Sequence, residues 1–146
     1  MKKIIILGAG FLQSFVIKRA KQLGYFTIAV DKNPKSIGFQ YADEYGIVDI
    51  VNPEECLKFA KNKNIDGIMT AATDYGVLAA SYIAQELSLP GINYDSAKLI
   101  KNKHSVRELF VENSIDDVSQ YYEVKSIDDL NLITNSIKYP VMVKPS

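Results

Sequence analysis

The sequence predicts an α/β fold, a parallel sheet with helices on both faces, and three observations carry that expectation. Residues 4–7 form a continuous apolar run that stops at Gly8-Ala9-Gly10, as a strand buried on both faces should read. Residues 26–30 form a second such run that stops at Asp31, and between the two the apolar residues recur at helical spacing. Strand, helix and strand in about thirty residues make a βαβ unit.

The remaining elements follow in order. Phe11, Leu12, Phe15, Val16, Ala20 and Leu23 outline the first helix, and Gly24 supplies the residue that closes a helix in the left-handed conformation. Asn33-Pro34 opens a loop. A strand over 46–51, a helix over 53–63 with Pro53 in its first turn, a strand over 65–71 and a helix over 74–87 continue the alternation. A short last strand is expected at 89–92, then two helical patches from Tyr94 to near Asn113. A smaller pattern closes the chain: a strand over 121–124, a helix over 126–137 with Ser126 and Asp129 at its start, and a strand over 141–144. The expected division is 1–93 for a Rossmann-like domain, 94–113 for linking helices and 114–146 for the start of a second domain. A buried apolar strand needs neighbours on both edges, so the last strand leads us to expect that the sequence is truncated.

Composition narrows the partners. Seventeen basic residues balance seventeen acidic ones, so no overall field attracts nucleic acid or an anionic membrane. The apolar runs are strand-length, far short of the roughly 20 residues of a membrane span, and the one after Met1-Lys2-Lys3 ends too soon for a signal peptide. Cys56 is the single cysteine, which excludes an internal disulfide or a cysteine metal site and suits a reducing cytoplasm. It lies in an amphipathic helix and reads as a small buried hydrophobe. His104 has no nucleophile and carboxylate at recognisable spacing, so no catalytic triad is expected. Neither a catalytic residue nor a metal ligand is assigned.

Gly8, Ala9, Gly10, Phe11, Leu12 and Gln13 follow a strand and open a helix, where backbone N–H groups and the helix dipole receive an anion. Gln13 stands where the dinucleotide fingerprint wants a third small residue, which weakens an NAD reading; Gln13 is instead a polar contact for a ligand, or the loop is a tight turn with none. Asp31, 23 residues after Gly8, has three open readings: the carboxylate that binds an adenosine ribose, a wall of a substrate crevice together with Lys32, or the cap of its own turn. Thr73 and Asp74 follow the fourth strand on the same sheet edge; capping of the next helix competes there with substrate binding. The segment Tyr139-Pro140-Val141-Met142-Val143-Lys144-Pro145 carries one lysine at the end of an apolar strand. Such a lysine is costly to bury unless it meets an anion, and otherwise reaches solvent.

Taken in order, Leu7-Gly8-Ala9-Gly10, Val30-Asp31 with Asn33-Pro34, Tyr41-Ala42-Asp43, Lys103 with Arg107, and the segment ending in Lys144-Pro145 resemble the ATP-grasp superfamily. The resemblance is to its carbamoyl phosphate synthase, biotin carboxylase and phosphoribosylaminoimidazole carboxylate synthase branch, and it spans the chain. It implies a Rossmann-like pre-ATP-grasp domain followed by a fragment of an α+β ATP-grasp subdomain. It also implies ATP-dependent ligation through an acyl phosphate, with ATP and Mg²⁺ as cofactors and the Mg²⁺ ligands downstream. Lys103 and Lys144 match the family's two phosphate-contacting lysines. Gly10, Phe11, Leu12, Gln13, Asp31, Thr73 and Asp74 would face the substrate, a small carboxylate or amino acid. A homodimer is left open, and the 146 residues alone are expected to be inactive. The alternatives are an NAD-dependent oxidoreductase and a nucleotide-sensing Rossmann module.

Overall fold

The computed structural model describes residues 1–115 and 120–144, and the chain divides into two units, Met1–Ala97 and Lys98–Ser146. In the first unit, β1 (Lys3–Leu7), β2 (Phe26–Asp31), β3 (Glu44–Ile47) and β4 (Gly67–Thr70) form one parallel sheet in the order β3-β2-β1-β4. The helices α1 (Phe11–Gln22), α2 (Pro53–Ala60) and α3 (Val77–Glu86) alternate with the strands, and a 3-10 helix spans Ile37–Tyr41.

Successive side chains of a strand point to opposite faces, and both faces here are covered. Ile5, Leu7, Ile28 and Val30 pack with Cys56, Leu57 and Ala60 of α2 and Ala79 and Ile83 of α3. Ile6 and Ala29 face the other way, onto Ile17 and Ala20 of α1 and Phe39 of the 3-10 helix. The predicted three-layer α/β architecture is therefore the observed one. Helix ends follow local chemistry: Asn52 accepts the Glu55 N–H ahead of Pro53, and Gly24 closes α1 at φ +84°.

The structure corrects the sequence reading at several places. The predicted face of α1 is largely the wrong one: Phe11, Leu12, Phe15 and Leu23 are exposed, while Gln13, Ser14, Ile17 and Ala20 are buried. No strand forms over 89–92. Leu89 N–H instead closes α3 on the Ala84 carbonyl at 2.7 Å, and Gly91 packs so tightly on Ala84 that a Cβ would lie 2.6 Å from its methyl. The third strand starts at Glu44 rather than at residue 46, because Asp43 is already tied to Thr27 of β2. Helices α2 and α3 are shorter than 53–63 and 74–87.

The described elements of the second unit are helical. Helix α4 (Tyr94–Lys101) crosses the division, α5 (Lys103–Glu112) follows, and α6 (Ile127–Ile133) starts with a capping box between Ser126 and Asp129. The strands expected at 121–124 and 141–144 are not formed. A strand is held by its ladder, and neither segment has a strand partner among the described residues; Met142 and Val143 are exposed. Pro145 lies outside the described residues. No helix among the described residues is long and apolar enough to cross a membrane.

Candidate functional site

Strand order reverses between β1 and β4, and in open parallel sheets the crevice outside the carboxyl ends at such a point receives ligands. Two loops meet there, the one joining β1 to α1 and the one joining β4 to α3. Gly8 takes φ +96°, a conformation that costs other residues a Cβ clash, and its N–H donates to the Val30 carbonyl at 2.7 Å. Gly10 is the N-cap of α1 and leaves it without a side-chain cap.

Side chains from distant positions fix this loop. Asp31 accepts Ala9 N–H at 2.8 Å on one carboxylate oxygen and Asn33 N–H at 2.9 Å on the other. Its observed role is therefore to brace the glycine loop and its own turn. Gln13 is buried and donates from Nε2 to the Ala71 carbonyl at 2.8 Å, so it joins the two loops that flank the switch point. It also explains why this position is not glycine: the amide occupies the space beside Gly8 and Gly10. From the other side the 3-10 helix presses close, with Gly38 N–H donating to the Ala9 carbonyl at 2.7 Å. A Cβ on Gly38 would stand 2.6 Å from that oxygen.

On the β4 side, Ala72 adopts φ +57°. A left-handed alanine is a strained residue of the kind that gathers at ligand sites. Thr73 Oγ1 accepts Tyr75 N–H at 3.3 Å within the loop, and the helix capping set against substrate binding above is not formed: α3 starts at Val77 behind Gly76 without a side-chain cap. The Asp74 side chain is exposed, and its carbonyl accepts Val77 N–H. Phe11 and Leu12, the first residues of α1, are exposed at the same sheet edge.

Of the residues predicted from sequence, Gly10, Phe11, Leu12, Gln13, Asp31, Thr73 and Asp74 thus all belong to the carboxyl end of this one sheet. Ala71, Ala72 and Gly38 were missed. Ala71 contributes only a carbonyl and leaves no trace in the sequence, whereas Gly38 in a loop was a readable sign of close backbone approach.

Both predicted phosphate-contacting lysines are in the second unit. Lys103 opens α5 behind Asn102, whose side chain accepts His104 N–H at 3.0 Å and Ser105 N–H at 3.1 Å. Lys144 ends the described chain with its side chain exposed. His104 Nδ1 lies 3.5 Å from the Glu108 carboxylate, and its ring packs 5.4 Å from Tyr121. Cys56 is buried, and burial, followed by the nearby Asp49 and Glu55 charges, pushes its thiol up to about 11, far from a reactive thiolate. A cleft of about 530 Å³ opens between the 3-10 helix and Tyr45, and none of the predicted site residues lines it.

No family model matches the chain. Among curated proteins it is similar to formate-dependent phosphoribosylglycinamide formyltransferases. It is 27% identical to that of Prochlorococcus marinus subsp. pastoris, over 99% of this chain and 37% of the relative. It is 31% identical to that of Wolinella succinogenes, over 98% of this chain and 37% of the relative. Among solved structures, the phosphoribosylglycinamide synthetase of Anaerococcus prevotii superposes with a TM-score of 0.79 at 32% identity, over 99% of this chain and 37% of that one. Two more share the fold at low identity. An ADP complex of N5-carboxyaminoimidazole ribonucleotide synthetase gives a TM-score of 0.75 at 18% identity, over 95% of this chain and 36% of that one. The L-amino acid ligase of Bacillus licheniformis gives 0.69 at 14% identity, over 93% and 42%. The chain spans well under half the length of each of these proteins. These relatives and neighbours are ATP-grasp family members, and the chain matches the N-terminal portion of that family's ligases.

Proposed function

We propose that the protein carrying this chain is an ATP-dependent ligase that joins a carboxylate to an amine through an acyl phosphate. The observation that carries the reading is the match over 98–99% of the chain to N-terminal portions of ligases, at a TM-score of 0.79 for the Anaerococcus prevotii synthetase. The curated relatives are named for formate and a phosphoribosylglycinamide, and one fold neighbour for amino acids. A carboxylate activated toward an amine is the chemistry those names share. In the bond-forming step the amine nitrogen bonds the acyl carbon, phosphate leaves with the C–O electron pair, and the nitrogen sheds a proton to solvent.

In this reading the first unit shapes the acceptor side through Gly10, Phe11, Leu12, Gln13, Asp31, Thr73 and Asp74. Gln13 and Asp31 act there by holding the loops, since their side chains are already engaged with backbone. Lys103 and Lys144 are exposed cations, a donor type that suits ATP phosphates, where a compact ammonium balances charge without covalent chemistry. Bound ATP would supply the phosphoryl group. The described residues hold no cluster of three or more His, Cys, Asp or Glu side chains suited to a metal, so we assign no Mg²⁺ ligand to them. The division at residues 94 and 114, a cytoplasmic location, a homodimer and the inactivity of the 146 residues alone belong to the same proposal.

Replacing Lys144 with Met in the protein carrying this chain tests the assignment. ADP release should fall roughly a hundredfold with the melting midpoint unchanged. Turnover unaffected by Lys144→Met would overturn the role of that lysine.

A further inference from the structure

The backbone takes a strained turn where the chain leaves β4. Ala72 has φ +57°, and among the described residues Asn64, Ser88 and Ser114 are the other non-glycine residues of that sign. Those three have local reasons for it. Ser88 and Ser114 stand directly behind Leu87 and Asn113, the C-caps of α3 and α5, where a left-handed residue closes a helix. Asparagine visits this conformation more readily than other side chains do. Ala72 follows a strand, carries a Cβ, and has no polar side chain with which to bond its own backbone. Such a residue persists only where its surroundings hold it.

The holding contact is the Gln13 amide. The Ala71 carbonyl belongs to the same planar peptide unit as the Ala72 N–H, and rotation of that unit about the Ala72 N–Cα bond is φ itself. Gln13 Nε2 donates to this carbonyl at 2.8 Å, so it fixes the plane whose rotation would relieve Ala72. Gln13 is fixed in turn. It is buried, with its Cγ 3.1 Å from where a Gly8 Cβ would be and its Oε1 3.0 Å from where a Gly10 Cβ would be. The ends of the loop are pinned separately. Thr70 Oγ1 donates to the Leu7 carbonyl at 3.0 Å, and a Cβ on Gly76 would stand 2.6 Å from that same Oγ1. Between these anchors, the orientation of the 71–72 peptide sets the course of the chain at Thr73 and Asp74.

We propose that Gln13 is a positioning residue for the acceptor: it holds the 71–72 peptide in its strained orientation and thereby sets the crevice loop that carries Thr73 and Asp74. What the loop receives rests on the ligase reading above; how the loop is held rests on the geometry alone. Without the Gln13 donor, the peptide turns and Ala72 relaxes to negative φ.

Gln13→Met, which keeps the volume and removes the donor, tests this beside the double variant Gln13→Met with Ala72→Gly. Glycine takes positive φ without a Cβ penalty and needs no holding. In the ¹⁵N-labelled 146-residue chain, Ala72 should give the strong intraresidue HN–Hα NMR cross-peak of a positive φ. Gln13→Met should weaken that cross-peak and shift the Thr73 and Asp74 amides, and the double variant should return those amides toward the parent. The protein carrying the chain is then assayed for ADP release with ATP, formate and glycinamide as probe substrates. Gln13→Met should raise the KM for glycinamide roughly tenfold, with kcat and the KM for ATP unchanged, and the double variant should recover the parent KM. An unchanged Ala72 cross-peak with unmoved Thr73 and Asp74 amides would overturn the holding role. Shifted amides with an unchanged glycinamide KM, an equal rise in the KM for ATP, or a double variant that recovers nothing would overturn the positioning role and leave the ligase standing. No ADP release by the parent sinks the ligase reading and the acceptor role with it, while the cross-peak still decides how the loop is held.

Discussion

Gln13 Nε2 donates to the carbonyl of Ala71 across the switch point, at 2.8 Å and with Gln13 only 8% exposed. The bond joins residues 58 positions apart and ties the start of α1 to the segment that follows β4.

Gln13→Ala should therefore destabilise the protein by about 1–3 kcal/mol, since it leaves a part-buried carbonyl without its donor and opens a void where a buried side chain stood. Urea unfolding followed by circular dichroism measures this. A midpoint unchanged from the parent would mean that the bond contributes nothing to the fold.

Asp31 holds two backbone N–H groups, one per oxygen. In Asp31→Asn only one oxygen remains, and the amide presents a donor to another donor. Hydrogen exchange at Ala9 or Asn33 should accelerate roughly tenfold, equivalent to about 1.4 kcal/mol. Unchanged protection at both amides would contradict the bracing role.

Asp43 links β2 and β3 near their amino ends. Its carboxylate accepts Thr27 N–H at 2.9 Å and Thr27 Oγ1–H at 3.0 Å, and it pairs with Lys21 at 2.6 Å. The Lys21 ammonium first, then the Thr27 N–H, hold its carboxyl below the ordinary value of 3.8. The folded chain therefore binds this proton more weakly than the unfolded chain does. The stabilisation is complete above pH 3.8 and is lost as pH falls through the lower folded value. Asp43→Asn should flatten stability against pH in that acid range and lower it near neutrality by about 1 kcal/mol. Equal acid limbs for parent and variant would rule this linkage out.

Much of the fold was legible because its signals are local. The runs ending at Gly8 and Asp31 gave β1 and β2, Pro53 gave the start of α2, and Gly24 gave the end of α1. The buried face of α1 was not legible, because Gln13 and Ser14 are buried through bonds to Ala71 and Phe11 that no periodicity records. The same misreading hid the exposed patch at Phe11, Leu12 and Phe15. Residues 121–124 and 141–144 have strand-like composition, but pairing decides a strand, and composition does not show the partner. For the candidate site, residue types and sheet edge were readable. The bracing roles of Gln13 and Asp31 emerged only from contacts 58 and 22 positions away.

The central claim is that a carboxylate is activated by ATP and then captured by an amine. Supplying the protein carrying this chain with ATP, an amine acceptor and ¹⁸O-labelled carboxylate, and analysing the released phosphate by mass spectrometry, tests it most directly. An acyl phosphate route transfers one carboxylate oxygen into phosphate, so labelled phosphate should appear in step with ADP. ADP release with unlabelled phosphate would contradict the account.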